Sequence, residues 1–251
     1  MLKAIDHARV RELRLDRPPV NALNPELVAA LTLALRDASA SGDAVILSGR
    51  EGLFSAGLDV PELLQLSREA LAVFWKNFFG LLETVARSPV PVVAAITGHA
   101  PAGGAVLSLF CDYRVMAKGE FRIGLNETLV GLIVPEVIRR ALERLTGPHR
   151  AERLVVAGTL LSPAEALQTG MVDALSEGPE STVADALDWC NRHLALPRHA
   201  MLGNRERARR DLHDEFDSLD DEAIESFVSG WFQESTQETL HALVAQLKSK
   251  K

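Results

Sequence analysis

The sequence predicts an α/β core, residues 1–190, followed by a helical C-terminal region, residues 191–251. Three observations predict it. Short apolar runs such as "DAVILSG", "VPVVAAITG" and "YRVMA" alternate with longer stretches whose apolar residues recur at helical spacing. One of these runs, "VPVVAAITG", is apolar throughout, as expected of a strand covered on both faces. From about Ser181 onward the chain turns amphipathic and charged, with a compositional shift near residue 190.

In chain order, "ARVRELRLD" alternates and reads as a half-buried strand, with Val10 and the two leucines on one face. "RPPVNALN" follows as a loop. A helix starts at Asn24, with Pro25 as its first residue and Glu26 in its first turn, and runs through "ELVAALTLALRDAS". "DAVILSG" is a short buried strand, and "REGLFSAGLDV" is a glycine-bearing loop leading into "PELLQL". "REALAVFWKNFFGLLETVARS" is an amphipathic helix. "VPVVAAITG" is a strand, "APAGGAVLSLFCD" a tight turn feeding a buried helix, and "YRVMA" and "EFRIG" two short strands. Ser162-Pro163-Ala164-Glu165 is a capping box, Gly170 supplies the stop, and "MVDALS" is one last strand before the helical tail.

The composition excludes several functions. Formal net charge is −7, which argues against nucleic acid as a partner because duplex binding rests on neutralising phosphates. The two cysteines, Cys111 and Cys190, sit in apolar contexts without metal-ligand spacing, and read as reduced core residues of a cytoplasmic protein. "MLKAIDHARVREL" lacks the apolar stretch of a signal peptide, and no apolar run is long enough to span a bilayer. GxSxG, GxxxxGK[ST], a post-strand GxGxxG and HExxH are all missing, which removes esterase, NTPase, Rossmann dehydrogenase and zinc-protease readings. His99 reads as a loop or core residue, and the basic cluster "RERARRDLH" as a solvated helix face.

Two strand-to-helix junctions remain as chemistry. "FSAGLDV", Phe54 to Val60, and "GHAPAGGAV", Gly98 to Val106, each bring small residues to the start of a helix. Small residues let a ligand approach the backbone, and first-turn N–H groups lack helical partners. Two such turns facing each other aim two donors at one oxygen, the requirement for an oxyanion hole. Plain glycine turns fit the spacing equally well.

Together, "FSAGLD", "GHAPAGG", "FCDYRVMA" and "IGLNETLVG" resemble the crotonase (enoyl-CoA hydratase/isomerase) superfamily, in order along nearly the whole chain. "GLNET" with "PAGG" is most similar to the mitochondrial type of Δ3,Δ2-enoyl-CoA isomerase. The resemblance implies a spiral of ββα turns with C-terminal helices that build a homotrimer or a dimer of trimers. It implies an acyl-CoA substrate, no metal, and no cofactor beyond the coenzyme A that the substrate carries. It implies that the donors are the backbone N–H groups of Leu58 and Gly103. Ala56, Gly57, Asp59 and Val60 would line the thioester and pantetheine, and the "PPVNAL" loop would lie near the adenine. Asp59 also suits capping of the following helix.

Hydratases of this family use two glutamates. Aligned without gaps, the first falls on Val106 and the second on Glu127. Valine moves no proton, so the resemblance leaves one acid/base, Glu127. Taken alone, Glu127 is a glutamate in a loop or first helical turn; beside "GLNET" and both glycine turns it reads as the base. Leu125, Leu129 and Val106 are expected to raise its pKa toward neutrality. Asn126 either orders this loop or touches substrate. Isomerisation of a 3-enoyl-CoA is the expected reaction; hydration, or acyl-CoA binding without turnover, is the alternative.

Overall fold

The computed structural model describes residues 1–249. Its first elements are strands β1 (Leu2–His7) and β2 (Val10–Leu15), helix α1 (Pro25–Ser41), and strands β3 (Ala44–Ser48) and β4 (Gly52–Leu53). Helices α2 (Val60–Leu63) and α3 (Arg68–Ala86) lead to β5 (Val92–Ile96) and β6 (Gly98–Pro101). Helix α4 (Gly103–Leu109) then leads to β7 (Tyr113–Ala117) and β8 (Ile123–Gly124). A 3₁₀ turn (Glu127–Val130), helices α5 (Glu136–Thr146), α6 (Pro148–Ala157) and α7 (Pro163–Thr169), and strand β9 (Ala174–Ser176) complete the mixed part. Five helices follow: α8 (Pro179–Leu194), α9 (Arg198–Ala208), α10 (Arg210–Asp217), α11 (Asp221–Trp231) and α12 (Glu234–Ser249).

The strands form two sheets, a larger one in the order β1-β2-β3-β5-β7-β9 and a smaller one in the order β4-β6-β8. Apart from the antiparallel β1–β2 pair, every pairing is parallel. The pairs β3/β4, β5/β6 and β7/β8 each place one strand in each sheet before a helical segment returns the chain. The connectivity repeats strand, strand and helical segment, as expected of the ββα spiral, and the small sheet is parallel throughout, so its C-terminal strand ends share one edge.

The large sheet is covered on both faces, which explains its unbroken apolar strands. Val45, Leu47, Val92, Ala94 and Ile96 belong to the main core with α1 and α3. Their neighbours Ala44, Ile46, Val93 and Ala95 pack on the other face with Ala186 and Cys190 of α8. Period-two alternation corrects the expectation for the first alternating segment: Leu13 and Leu15 face the main core, while Val10 faces the α8 side. Residues 10 and 13 differ in parity and cannot share a face. Buried Glu12 accepts hydrogen bonds there from Ser48 Oγ at 2.6 Å and Arg14 Nε at 2.8 Å. Strand β1 was not expected; it is a half-exposed edge strand with little apolar signal.

Local signals were accurate where they were strong. Asn24 caps α1 through its bond to the Leu27 N–H at 2.9 Å. Ser162, Glu165 and Gly170 start and stop α7 as a capping box and a left-handed terminus. "EFRIG" contributes only Ile123 and Gly124 as strand.

The tail departs from expectation in two ways, at its boundary and in its basic cluster, and its aromatics show how it packs. Residue 190 falls inside α8, and that helix continues to cover the sheet until Leu194. The tail aromatics pack on their own chain: Phe227 and Trp231 lie 4.3 and 6.2 Å from Trp75, centroid to centroid, while Phe232 stays 38% exposed. "RERARRDLH" is solvated only in part: Glu206, Arg207 and Arg210 are exposed, but two of its arginines turn inward. Arg205 Nε and Arg209 Nη1 reach Asp112 Oδ1 at 2.7 and 3.2 Å, and Arg209 is buried. Burial alone would push the Asp112 carboxyl up, but the two guanidiniums hold it below its ordinary range. Both cysteines are buried and unpaired, with thiols pushed up to about 12 by burial.

Candidate active site

The candidate site lies where the three strands of the small sheet end. Leu58 comes five residues after β4, Gly103 two after β6, and Glu127 three after β8. Parallel pairing brings these ends to one edge, the position where open parallel sheets bind ligands.

The two glycine turns are in contact. A Cβ added to Gly103 would sit 3.4 Å from the Leu58 nitrogen, and one added to Gly57 would sit 3.1 Å from the Gly103 nitrogen. Gly57 has φ +89°, a conformation that side chains rarely adopt. Ser55 holds this turn: its buried Oγ accepts from the Gly57 N–H at 3.1 Å and donates to Asn21 O at 2.8 Å. Gly104 is tighter still, since a Cβ there would meet Ser55 O at 2.7 Å.

Carbonyl bonding sets the direction of each candidate donor. In a trans peptide the C=O and the following N–H point opposite ways. Gly57 O accepts from Leu23 N at 2.8 Å, so the Leu58 N–H points away from Leu23. Ala102 O accepts from Val106 N at 2.9 Å as the first rung of α4, so the Gly103 N–H points out of the helix start. Ala102 has φ +46° and ψ −123°, an unusual pair for a residue with a side chain. Its ψ orients the peptide that carries the Gly103 N–H. Among the described residues, neither N–H has a protein acceptor.

Glu127 opens the 3₁₀ turn. Leu132 N donates to its carbonyl at 3.0 Å, and Thr128 Oγ1 anchors the turn to Val155 O at 2.7 Å. Gly131, with φ +76°, ends the turn, and Thr236 Oγ1 of α12 donates to its carbonyl at 2.9 Å. Helix α12 lies against both this turn and α2.

The residue as a whole is half-buried, yet its Oε2 is shielded and has no hydrogen-bond partner. The environment of that oxygen governs the titration. Burial pushes the carboxyl up to about 7, and its own backbone N–H offsets only part of this. Of the expected apolar neighbours, Leu125 and Val106 are buried at 2% and 1%, but Leu129 is 60% exposed and does not shield it. The Oδ1 of Asn126 is likewise enclosed without a partner. Asn126 therefore makes no cap for the turn that follows.

Ala56, Gly57, Asp59 and Val60 line the same stretch, but Asp59 is committed within the chain. Its Oδ1 caps α2 through the Glu62 N–H at 3.2 Å, and its Oδ2 accepts from Arg17 at 2.7 Å. The capping role is thus the one the side chain of Asp59 fills. His99 is exposed, and its Nδ1 accepts from the Arg122 N–H at 3.2 Å. Among the described residues no group of three His, Cys, Asp or Glu is placed to hold a metal. Sequence reasoning missed Asn21, Ser55 and Arg17, which hold the first turn. Asn21 takes a positive φ, +50°, which shows only in the folded chain.

This arrangement can take a proton with a partnerless carboxylate and hold a developing oxyanion with two backbone donors. Residues 6–250 match the sequence model of the enoyl-CoA hydratase/isomerase family. Mouse "Enoyl-CoA delta isomerase 1, mitochondrial" is 36% identical over 97% of this chain and 86% of its own length. The crystal structure of human mitochondrial Δ3-Δ2-enoyl-CoA isomerase superposes with a TM-score of 0.94 at 34% identity, covering 100% of this chain and 99% of that one. A probable enoyl-CoA hydratase of Mycobacterium tuberculosis is 36% identical over 75% of this chain and 72% of its own length.

Proposed function

The chain belongs to the enoyl-CoA hydratase/isomerase family, and on that basis we propose that it is a Δ3,Δ2-enoyl-CoA isomerase. The observation that carries the reading is the enclosed, partnerless carboxyl of Glu127, raised to about 7 by burial; the family resemblance adds Val106 at the position where hydratases carry a second glutamate.

Glu127 removes a proton from C2 of the 3-enoyl thioester. The electron pair moves into the C1–C2 bond, and the thioester oxygen becomes an oxyanion. The Leu58 and Gly103 N–H groups stabilise this dienolate as it forms. One such donor is worth ~3–4 kcal/mol in the transition state. The protonated Glu127 then delivers its proton to C4, the double bond settles between C2 and C3, and the carboxylate is restored. A positioned base adds ~10²–10⁴-fold. A pKa near 7 suits both halves, because the same group must accept and release a proton.

Hydration needs a second group to orient and activate water, and the family resemblance puts valine at that position. The substrate brings its own coenzyme A, and the mechanism calls on no further cofactor or metal. We propose assembly as a trimer or a dimer of trimers, supported by the family resemblance and by the exposed Ile133, Val156 and Phe232. We propose a cytoplasmic location, supported by the two buried free thiols, which suit a reducing compartment; the mammalian relatives are named mitochondrial. No helix of the described residues is long and apolar enough to cross a membrane.

The test is to incubate the protein with 3-enoyl-CoA and with 2-enoyl-CoA separately, beside Glu127→Gln. Isomerisation by the wild type alone, well above hydration of the 2-enoyl substrate, is expected. Equal rates in wild type and variant, or hydration outrunning isomerisation, would remove the mechanism.

A further inference from the structure

We infer that Arg17 is a positioning residue for the Leu58 donor: its guanidinium splints the peptide that carries that N–H. The inference rests on the isomerase reading above, in which Leu58 N–H meets the thioester oxygen.

The Leu58 N–H is aimed only because the Gly57 carbonyl is pinned by Leu23 N at 2.8 Å. Leu23 belongs to a loop with no regular structure of its own, so something must hold that loop. Three backbone rungs join it to the glycine turn: Ala56 N to Val20 O at 3.0 Å, Leu23 N to Gly57 O at 2.8 Å, and Asp59 N to Leu23 O at 3.0 Å. These rungs form a short parallel bridge centred on Leu23 and Leu58. Two or three rungs between loops are weak by themselves, because ordering each residue costs ~1–2 kcal/mol of conformational entropy.

Arg17 ties both sides of this bridge together. Its Nη1 donates to Ala22 O at 3.1 Å, the carbonyl directly before Leu23, and to Asp59 Oδ2 at 2.7 Å, directly after Leu58. Its Nη2 donates to Glu62 Oε2 at 3.2 Å on α2. Asn24 Nδ2 meets the same carboxylate at 3.0 Å, which closes the network onto the start of α1. The arginine backbone is held as well: Arg17 N donates to Asn21 Oδ1 and Asn21 N to Arg17 O, both at 2.8 Å. Arg17 and Asp59 side chains are 21% and 16% exposed, so the pair is shielded more than a surface ion pair. A planar guanidinium can serve these three acceptors at once; an ammonium is a single point and cannot span them. The second donor needs no such splint, because the first rung of α4 already orients Gly103 N–H.

The experiment compares wild type with Arg17→Met and Arg17→Lys in two readouts. One is kcat and KM on 3-enoyl-CoA per folded molecule. The other is hydrogen–deuterium exchange of the segment 54–63. Arg17→Met is expected to lose ~10- to 100-fold in kcat with KM within a few-fold, since misplacing a group by about 1 Å costs ~10²-fold. Exchange in 54–63 should quicken about tenfold or more, while the strands of the large sheet keep their protection. The apparent pKa of the rate profile should not move, because Glu127 is untouched. Arg17→Lys should fall between, and it decides the matter if the methionine variant does not fold. A purely structural arginine would lower the folded fraction and leave kcat per folded molecule unchanged; that result overturns the inference, as does unchanged exchange in 54–63. If the wild type shows no isomerase activity, the functional reading fails, and the exchange measurement still decides whether Arg17 holds the peptide.

Discussion

Replacing Glu127 by glutamine should make the protein inactive, and its stability relative to wild type should rise with pH. Burial raises the carboxyl from an ordinary 4.5 to about 7 in the folded protein. Between these values the folded state holds a proton that the unfolded chain has released. Stability therefore falls as pH rises through this window, being fully present below 4.5 and lost above about 7. At ~1.4 kcal/mol per pH unit, the whole interval amounts to roughly 3 kcal/mol. Glutamine carries no charge at any pH, so it escapes this loss. Its amide still lacks a partner in the enclosure, at a cost of ~1–3 kcal/mol that does not vary with pH. The signature is thus a slope: the stability difference, variant minus wild type, should widen by roughly 2–3 kcal/mol between pH 5 and pH 8. For a chain of this size that is several degrees in Tm, at ~2–4 °C per kcal/mol. Urea unfolding of both proteins across the range, at one protein concentration, measures it. A difference that stays flat with pH, or narrows toward alkaline pH, would refute the claim that Glu127 is held in surroundings hostile to its charge.

Other outcomes follow from the same structure. The wild-type kcat/KM should rise about tenfold per pH unit below an apparent pKa near 7 and level off above it, because the base must be unprotonated to attack C2; a profile flat down to pH 5 would place the base elsewhere. Gly57→Ala would push a Cβ to 3.0 Å from Pro101 O and 3.1 Å from Gly103 N at φ +89°, so kcat should fall ~10²-fold, as steady-state kinetics would show. Asp112→Asn strips the partner from Arg205 and Arg209, whose side chains are only 13% and 7% exposed. It should cost ~3–5 kcal/mol in urea unfolding while kcat per folded molecule stays near wild type.

The parts of the proposed site that stand out along the chain were legible in the sequence. The two glycine turns and the apolar setting of Glu127 stood out as residues, and the family resemblance supplied their relation and the meaning of Val106. A backbone N–H tolerates any side chain, so Leu58 raised no conflict with the donors that the resemblance implies. The supports were not legible. Arg17 meets Asp59 across 42 residues and Arg205 meets Asp112 across 93, and nothing near either arginine in the chain announces its partner. A basic run has the same composition whether it faces water or a buried aspartate.

Local chemistry was sufficient for what depends on a few neighbouring residues. Asn24 before Pro25 starts a helix, Ser162 with Glu165 and Gly170 bounds one, and five consecutive apolar residues in β5 imply a strand covered twice. Each of these is settled by bonds or packing within a turn or one strand. The reach of distant segments settled the rest. Glu127 Oε2 is partnerless only because the folded chain encloses it and brings no donor to it. Leu58 N–H has a direction only because Leu23 arrives from another loop to take the Gly57 carbonyl. Leu129 looked like a wall for the carboxylate and instead faces outward. Burial and the partner of a polar atom are properties of how far-apart segments meet, and a reading of neighbours along the chain has no access to them.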